Sequence, residues 1–169
     1  TYMGQNIKIN FFNMDVVAIG GAFATLALIS GAFGQYVAGR LTDKYQVEKI
    51  YLGAVVMGTI FVFVMSVSTG ALLVLASICY AFFYFAVQPA QNFIVSKYLP
   101  QHRQGLGYGI LFILTFGVGS TAAAISGYLA DLYGLQIVFY AMGFCFLASA
   151  LLALALVLQD AKKTKTVGR

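Results

Sequence analysis

The chain alternates between long apolar runs and short polar segments. No Asp, Glu, Lys or Arg occurs within residues 16–39, 50–96, 104–130 or 132–159. A helix that crosses a bilayer takes about 20 predominantly apolar residues, so each run can hold one and the second can hold two. The second run is interrupted between Ser66 and Gly70 by a short polar stretch, which is suited to a tight turn between antiparallel helices.

This pattern predicts five transmembrane helices, at about 16–39, 50–68, 71–95, 106–130 and 135–158. Residues 1–15 are then an outer loop and residues 160–169 a basic tail. The runs are continuously apolar and lack the alternation of membrane-barrel strands, which favours helices. The predicted fold is therefore all-α, a polytopic transmembrane helical bundle of five spans.

Composition agrees with this interpretation. Hydrophobic residues make up 61% of the chain and charged residues only 9%, whereas about 25% of the residues of a soluble domain are charged. That contrast excludes a soluble enzyme, a disordered segment and a nucleic-acid-binding module.

The basic residues predict the orientation. Because five spans alternate sides, nine of the ten Lys and Arg residues fall on one side and only Lys8 on the other. The positive-inside rule makes the basic side cytoplasmic. We therefore expect a multi-pass protein of the cell membrane (inner or plasma membrane) whose amino terminus is outside and whose carboxyl terminus is inside. The nine residues are Arg40, Lys44, Lys49, Lys97, Arg103, Lys162, Lys163, Lys165 and Arg169.

The loop after the first span reads Gly39-Arg40-Leu41-Thr42-Asp43-Lys44. A Gly followed four residues later by Asp and then by a basic residue resembles the cytoplasmic loop signature of the major facilitator superfamily of transporters, although Gln46 replaces the family's second Gly. The segment from Gly127 to Gly134 resembles a later loop of the same family. Pro100, Arg103 and Gly105 match its pattern before the fourth span. The resemblance implies the carboxyl-terminal half of such a transporter, the last five of twelve spans, with a missing span before residues 1–15.

That resemblance implies a role for the loop. Gly39, Arg40, Asp43 and Lys44 would form a conformational latch, with Asp43 holding the cytoplasmic side closed against the missing amino-terminal half. A carboxylate at the membrane surface can accept hydrogen bonds from a helix amino terminus, where the macrodipole favours an anion. The alternative is a solvated loop whose charges only set the topology.

The third span carries a polar stripe. At 100° per residue, nearly all of its polar side chains fall within about 80° of one another, with Asn92 just beyond. Polar groups inside a bilayer are costly unless they face protein or water. The stripe therefore indicates a substrate cavity wall, and hydrogen bonding between helices is the alternative. Its members are Ser77, Tyr80, Tyr84, Gln88 and Gln91.

Small residues form further stripes on the first and fourth spans, suited to close packing or sliding of helices. The first stripe contains Gly20, Ala24, Ala27, Gly31, Gly34 and Ala38, and the second contains Gly109, Gly117, Ser120, Ala124 and Gly127.

No ionisable side chain lies deep in any predicted span, so a proton relay would have to come from the missing half. We expect no catalytic site, metal or cofactor. The resemblance implies transport of a small-molecule substrate by alternating access, either secondary-active with a coupling proton or ion, or facilitative. The expected partners are that solute, the lipid bilayer and the missing amino-terminal half. Two alternatives stay open: an integral-membrane enzyme, for which Asp43 and Glu48 are the only nearby acidic pair, and a non-transporting receptor or assembly subunit.

Overall fold

The computed structural model describes the backbone of residues 16–167 and the side chains of residues 20–162. Within this range the chain is helical apart from short connections. The predicted outer loop, residues 1–15, lies outside the described residues. The α-helices are α1 (Val16–Thr42), α2 (Val47–Val67), α3 (Gly70–Tyr98), α4 (Gln104–Phe112), α5 (Gly119–Tyr133) and α6 (Leu135–Val167).

The fourth span is made of several helical pieces. A 3₁₀ turn at Gln101–Arg103 leads into α4, and a π-helical segment at Ile113–Val118 joins α4 to α5. Together they form one continuous stretch, Gln101–Tyr133, which is long and apolar enough to cross a membrane. Four others also qualify, namely Gly20–Thr42, Val47–Val67, Gly70–Tyr98 and Leu135–Lys162. The predicted all-α bundle of five spans is confirmed.

Several helices extend beyond their expected ends. The first ends at Thr42 rather than residue 39, the second begins at Val47 rather than residue 50, and the third ends at Tyr98 rather than residue 95. The sequence pattern places boundaries at charges, but long charged side chains can continue a helix while reaching towards water. Likewise α6 runs to Val167, through most of the expected tail.

Two turns depend on glycine. Only Ser68 and Thr69 separate α2 from α3, and Gly70 then adopts φ +62°, which confirms the predicted tight turn. Between α5 and α6, Gly134 adopts φ +84° and its N–H donates to the Ala130 carbonyl at 2.9 Å. This left-handed region is open to glycine at little cost, and larger residues are strained there.

The helix α3 lies at the centre of the packing. It packs along α1 on one side and along α2 on the other, and α2 packs in turn along α6. The small stripe of α1 makes its contact possible, since a Cβ at Gly31 would meet the Phe85 ring and one at Gly34 would meet the Phe82 carbonyl. Close approach of helices over small residues is the usual way in which membrane helices associate.

The fourth span packs less closely. It touches α3 through α4 and α6 through α5, and within the described chain none of its side chains is buried. A Cβ at Gly109, Gly117 or Gly127 would meet no atom within 4 Å. The small residues of this span therefore contact no other helix at these glycines among the described residues, unlike those of α1.

Candidate functional site

The predicted latch residues form the turn that closes α1. The Thr42 hydroxyl donates to the Gly39 carbonyl at 2.7 Å, and the Asp43 N–H donates to the same carbonyl at 3.3 Å. The Lys44 N–H donates to the Leu41 carbonyl at 3.1 Å. These local bonds end the helix and place Asp43 just past its carboxyl end.

The side chains of this turn point in different directions. The Arg40 guanidinium lies over the Tyr36 ring, 5.5 Å from its centroid. Asp43 and Lys44 are exposed, and among the described residues the Asp43 carboxylate makes no hydrogen bond or ion pair. A Cβ at Gly39 would meet nothing within 4 Å. Both the carboxylate and the bare glycine are thus accessible to another segment.

An open recess of about 460 Å³ adjoins this turn. It lies at the end of the bundle where α1 and α3 end and α2 and α4 begin. We call this the charged end. The recess is lined by the Asp43 residue together with residues of the neighbouring helices that carry amide and hydroxyl groups. Its lining residues are Gly39, Thr42, Asp43, Pro89, Asn92, Phe93, Ser96 and Tyr108.

The structure divides the predicted polar stripe of α3 into two parts. In the first part, Ser77 is buried and its hydroxyl donates to the Leu73 carbonyl at 2.7 Å. The Tyr80 ring lies 5.7 Å from the Phe146 ring of α6 and 5.6 Å from the Tyr84 ring. Among the described residues this part of the stripe faces α6 and its own helix rather than an open space.

The second part of the stripe carries the amides. Gln35 of α1 donates from Nε2 to Oε1 of Gln88 at 2.6 Å, which links α1 to α3 across an exposed face. Gln91 is half-buried, and its side chain makes no hydrogen bond within the described chain. Sequence reasoning missed Gln35 because it is a single polar residue in an otherwise small and apolar span.

A small recess of about 90 Å³ lies between these amides and the π-helical segment. On the α3 side it is lined by Gln88, Gln91 and Asn92, and on the other side by Leu111, Phe112, Thr115 and Phe116. The two phenylalanine rings are stacked, with centroids 6.0 Å apart and an interplanar angle of 21°. π-Helical turns within α-helices occur frequently at functional sites.

A charged cluster around one buried carboxylate ties three helices together at the charged end. Glu48 of α2 is only 1% exposed, and its Oε1 accepts from Lys97 Nζ at 2.6 Å and from the Tyr98 hydroxyl at 2.8 Å. Asp160 of α6 accepts from the same two groups at 3.3 and 3.2 Å. Glu48 Oε2 is also buried and has no partner within the described residues. This Glu48 cluster joins α2, α3 and α6.

Sequence reasoning missed this cluster, although a signal was present. Topology alone puts the start of the second span, the end of the third and the end of the fifth at one membrane surface. Glu48, Lys97 and Asp160 lie at these ends. Opposite charges that share one membrane surface can pair, and this signal differs from the use of basic residues to predict orientation.

A comparison with known protein families decides the family. The family model of the Major Facilitator Superfamily matches residues 2–169, nearly the whole chain. The chain belongs to the Major Facilitator Superfamily. Neither the search of curated proteins nor the search of solved structures returned a significant match.

Membership of the Major Facilitator Superfamily makes this chain a multi-pass membrane protein of a family that carries small solutes across membranes. The enzyme alternative is not favoured, since members of this superfamily are transporters. The two acids considered for an enzyme, Asp43 and Glu48, also lie in different surroundings. Glu48 is bound by Lys97 and Tyr98, whereas Asp43 lines the open recess.

Proposed function

We propose that this chain is the carboxyl-terminal five-span part of a transporter that moves a small solute by alternating access. In this proposal α3 and the fourth span form one wall of the solute cavity, and the missing amino-terminal half forms the other. Transport is secondary-active or facilitative. Any coupling proton or ion would be handled largely by the other half, because the described spans of this chain carry no ionisable group other than Tyr and Cys deep in the membrane.

The observation that carries this proposal is a set of amide side chains within the apolar helix α3 that lack some or all of their hydrogen-bond partners among the described residues. Gln91 and Asn92 make no side-chain hydrogen bond among the described residues, and Gln88 uses only its carbonyl oxygen. A polar group in hydrocarbon is costly, so these side chains need water or a solute. The competing explanation, hydrogen bonding between helices, accounts for Gln88 and Gln35 but leaves the other amides without partners.

The rest of the predicted stripe has a supporting place in the proposal. Tyr84 is partly exposed beside Gln88 and would extend the cavity wall, while Ser77 and Tyr80 would hold α3 against α6 during movement. In this proposal Tyr84, Gln88 and Gln91 form the cavity side of the predicted set, and Ser77 and Tyr80 form its packing side.

The latch is the second element of the proposal. Gly39, Arg40, Asp43 and Lys44 would bind a helix end of the amino-terminal half in one conformation and release it in the other. The free Asp43 carboxylate and the bare surface of Gly39 support this role. The alternative, that these charges only set the topology, predicts no effect on transport when the carboxylate is neutralised.

Orientation and location follow the charges. We propose that the charged end is cytoplasmic and that the protein lies in the cell membrane, inner or plasma. Arg40, Lys44, Lys97 and Arg103 all lie at that end, as the positive-inside rule requires.

Solute flux tests the proposed function. The full-length protein is reconstituted into liposomes, and entry of radiolabelled sugars, nucleosides, amino acids and uncharged aromatic amides is compared with that into protein-free liposomes. For a transported solute, Gln91→Leu should raise KM about fivefold to tenfold, the value of one hydrogen bond of about 1–1.4 kcal/mol. Gln136→Leu, an exposed glutamine at the start of α6, is the matched control and should leave KM unchanged. An absence of flux for every class of solute would favour a receptor or assembly subunit instead.

A further inference from the structure

Resting on the proposed transport function, we infer that the recess between α3 and the π-helical segment is a subsite for an uncharged, planar ring of the solute. The stacked pair Phe112 and Phe116 contacts the face of the ring. The amides of Gln88, Gln91 and Asn92 bind hydrogen-bonding groups at its edge. This assignment deepens the proposed function by naming the chemical class of solute.

The aromatic side of the recess is preformed. Phe112 and Phe116 are stacked on each other, and both side chains are more than half exposed within the described chain. Both nevertheless line the recess opposite the amides. Aromatic rings attract other flat rings in offset-stacked or edge-to-face geometry, beyond what buried area alone supplies.

Several side chains on the polar side of the recess have hydrogen-bonding groups without partners among the described residues. In the next turn of the fourth span, the hydroxyls of Ser120 and Thr121 donate to backbone carbonyls at 2.8 and 2.7 Å. The Thr115 hydroxyl, in the π-helical segment, makes no such bond among the described residues. Gln91 and Asn92 face the same recess, and a carboxamide offers both donors and an acceptor. A ring edge that carries both kinds of group matches this set.

Charge and volume limit the solute further. No charged residue lines the recess in the described chain, so an ion there would lose its hydration without gaining a counter-ion. The volume of about 90 Å³ is well below the ~300–1,000 Å³ of complete ligand sites. The recess therefore accommodates one ring, and the remainder of the solute lies towards the amino-terminal half.

A set of matched probes tests this assignment. Binding of tritiated nicotinamide and tritiated uracil to the full-length protein in nanodiscs is measured. Nicotinate, which adds a carboxylate to the same kind of ring, and cyclohexanecarboxamide, which keeps the amide on a puckered ring, serve as competitors. We expect at least one of the two planar probes to bind, and each competitor to displace it at least about tenfold, or 1.4 kcal/mol, less well than the same probe does when unlabelled.

Variants connect the binding to the recess. Replacing both rings (Phe112→Leu with Phe116→Leu) should weaken binding of the planar probe about tenfold and bring nicotinamide and cyclohexanecarboxamide to similar affinity. Thr115→Val and Gln91→Leu should weaken both amides while the unfolding midpoint stays unchanged. Phe144→Leu, an exposed phenylalanine of α6 outside the recess, is the control and should bind as the wild type does.

The outcomes separate this inference from the proposed function. Transport of other solutes without binding of either planar probe would overturn the subsite and leave the transporter intact. Equal affinity for nicotinate and nicotinamide, or unchanged binding in the double phenylalanine variant, would also overturn it. Absence of flux for every solute would refute the proposed transport function itself.

Discussion

Replacing Lys97 with Met should destabilise the protein more than the loss of an exposed surface charge does. Lys97 is the only cation within 4.0 Å of the Glu48 carboxylate in the described residues, and Glu48 is 1% exposed. The variant keeps the length and apolar stem of the side chain but removes its charge. Glu48 would then be a buried anion with the Tyr98 hydroxyl as its remaining partner.

The magnitude follows from the burial of the two groups. Removing one partner of a buried ion pair costs about 3–5 kcal/mol, whereas an exposed pair contributes about 0–1 kcal/mol. Here the carboxylate is buried, but the lysine is 38% exposed, so water reaches one side of the pair. We therefore expect Lys97→Met to lower the free energy of unfolding by about 2–4 kcal/mol, between these limits.

A double-mutant cycle measures this cost. Reversible unfolding of the full-length protein in lipid nanodiscs or mixed micelles is followed for Lys97→Met, Glu48→Gln and the double variant. The double variant should recover most of the lost stability, because the buried charge is gone. Lys49→Met, one residue beyond Glu48 and exposed, should change the free energy by less than about 0.5 kcal/mol. Equal, small effects for Lys97→Met and Lys49→Met would refute the view that the Glu48 cluster holds the charged end together.

Three further predictions concern other parts of the molecule. Gly34→Ala should lower the free energy of unfolding by about 1–3 kcal/mol, because its Cβ meets the Phe82 carbonyl. Gly21→Ala, where a Cβ meets nothing, should be neutral or stabilising in the same assay, and similar losses in both would contradict the close contact of α1 with α3. Gly134→Ala should cost about 1 kcal/mol through its positive φ, and no change in the unfolding midpoint would count against that turn. Asp43→Asn should change transport rates about twofold to fivefold, the value of a carboxylate at the amino terminus of a helix in the other half, and unchanged uptake kinetics in proteoliposomes would favour the topology-only alternative.

The fold could be predicted from the sequence because the hydrocarbon core of a bilayer requires every backbone polar group to be paired within the protein. Runs of apolar residues must be helical, so the absence of charges was enough to count five spans, and the polar stretch before Gly70 was enough to locate a turn. The helix ends were less accessible. In the sequence pattern a charged residue indicates a boundary, but Arg40 and Lys97 lie inside their helices.

The candidate site could be predicted only in part, because the sequence pattern describes each helix separately. Angular placement on α3 grouped Tyr80 with Gln91, but an ideal helix carries no information about which neighbour lies opposite each residue. The partner helices separate them, since Phe146 faces Tyr80 while Phe116 faces Gln91. The π-helical turn had no sequence signal in an apolar run. The Glu48 cluster depends on three chain segments distant in sequence, which only the folded bundle brings within hydrogen-bonding distance.

The most direct test of alternating access is the two-sided accessibility of Gln91. The full-length protein is prepared with its free cysteines Cys79 and Cys145 replaced by Ala, and Gln91→Cys is added. Membrane-impermeant thiol reagents are applied separately to each face of sealed proteoliposomes. We predict labelling from both faces, with a transported solute slowing the reaction, while Phe144→Cys is not protected by that solute. Labelling of Gln91→Cys from one face only, unaffected by any transported solute, would contradict the proposed mechanism.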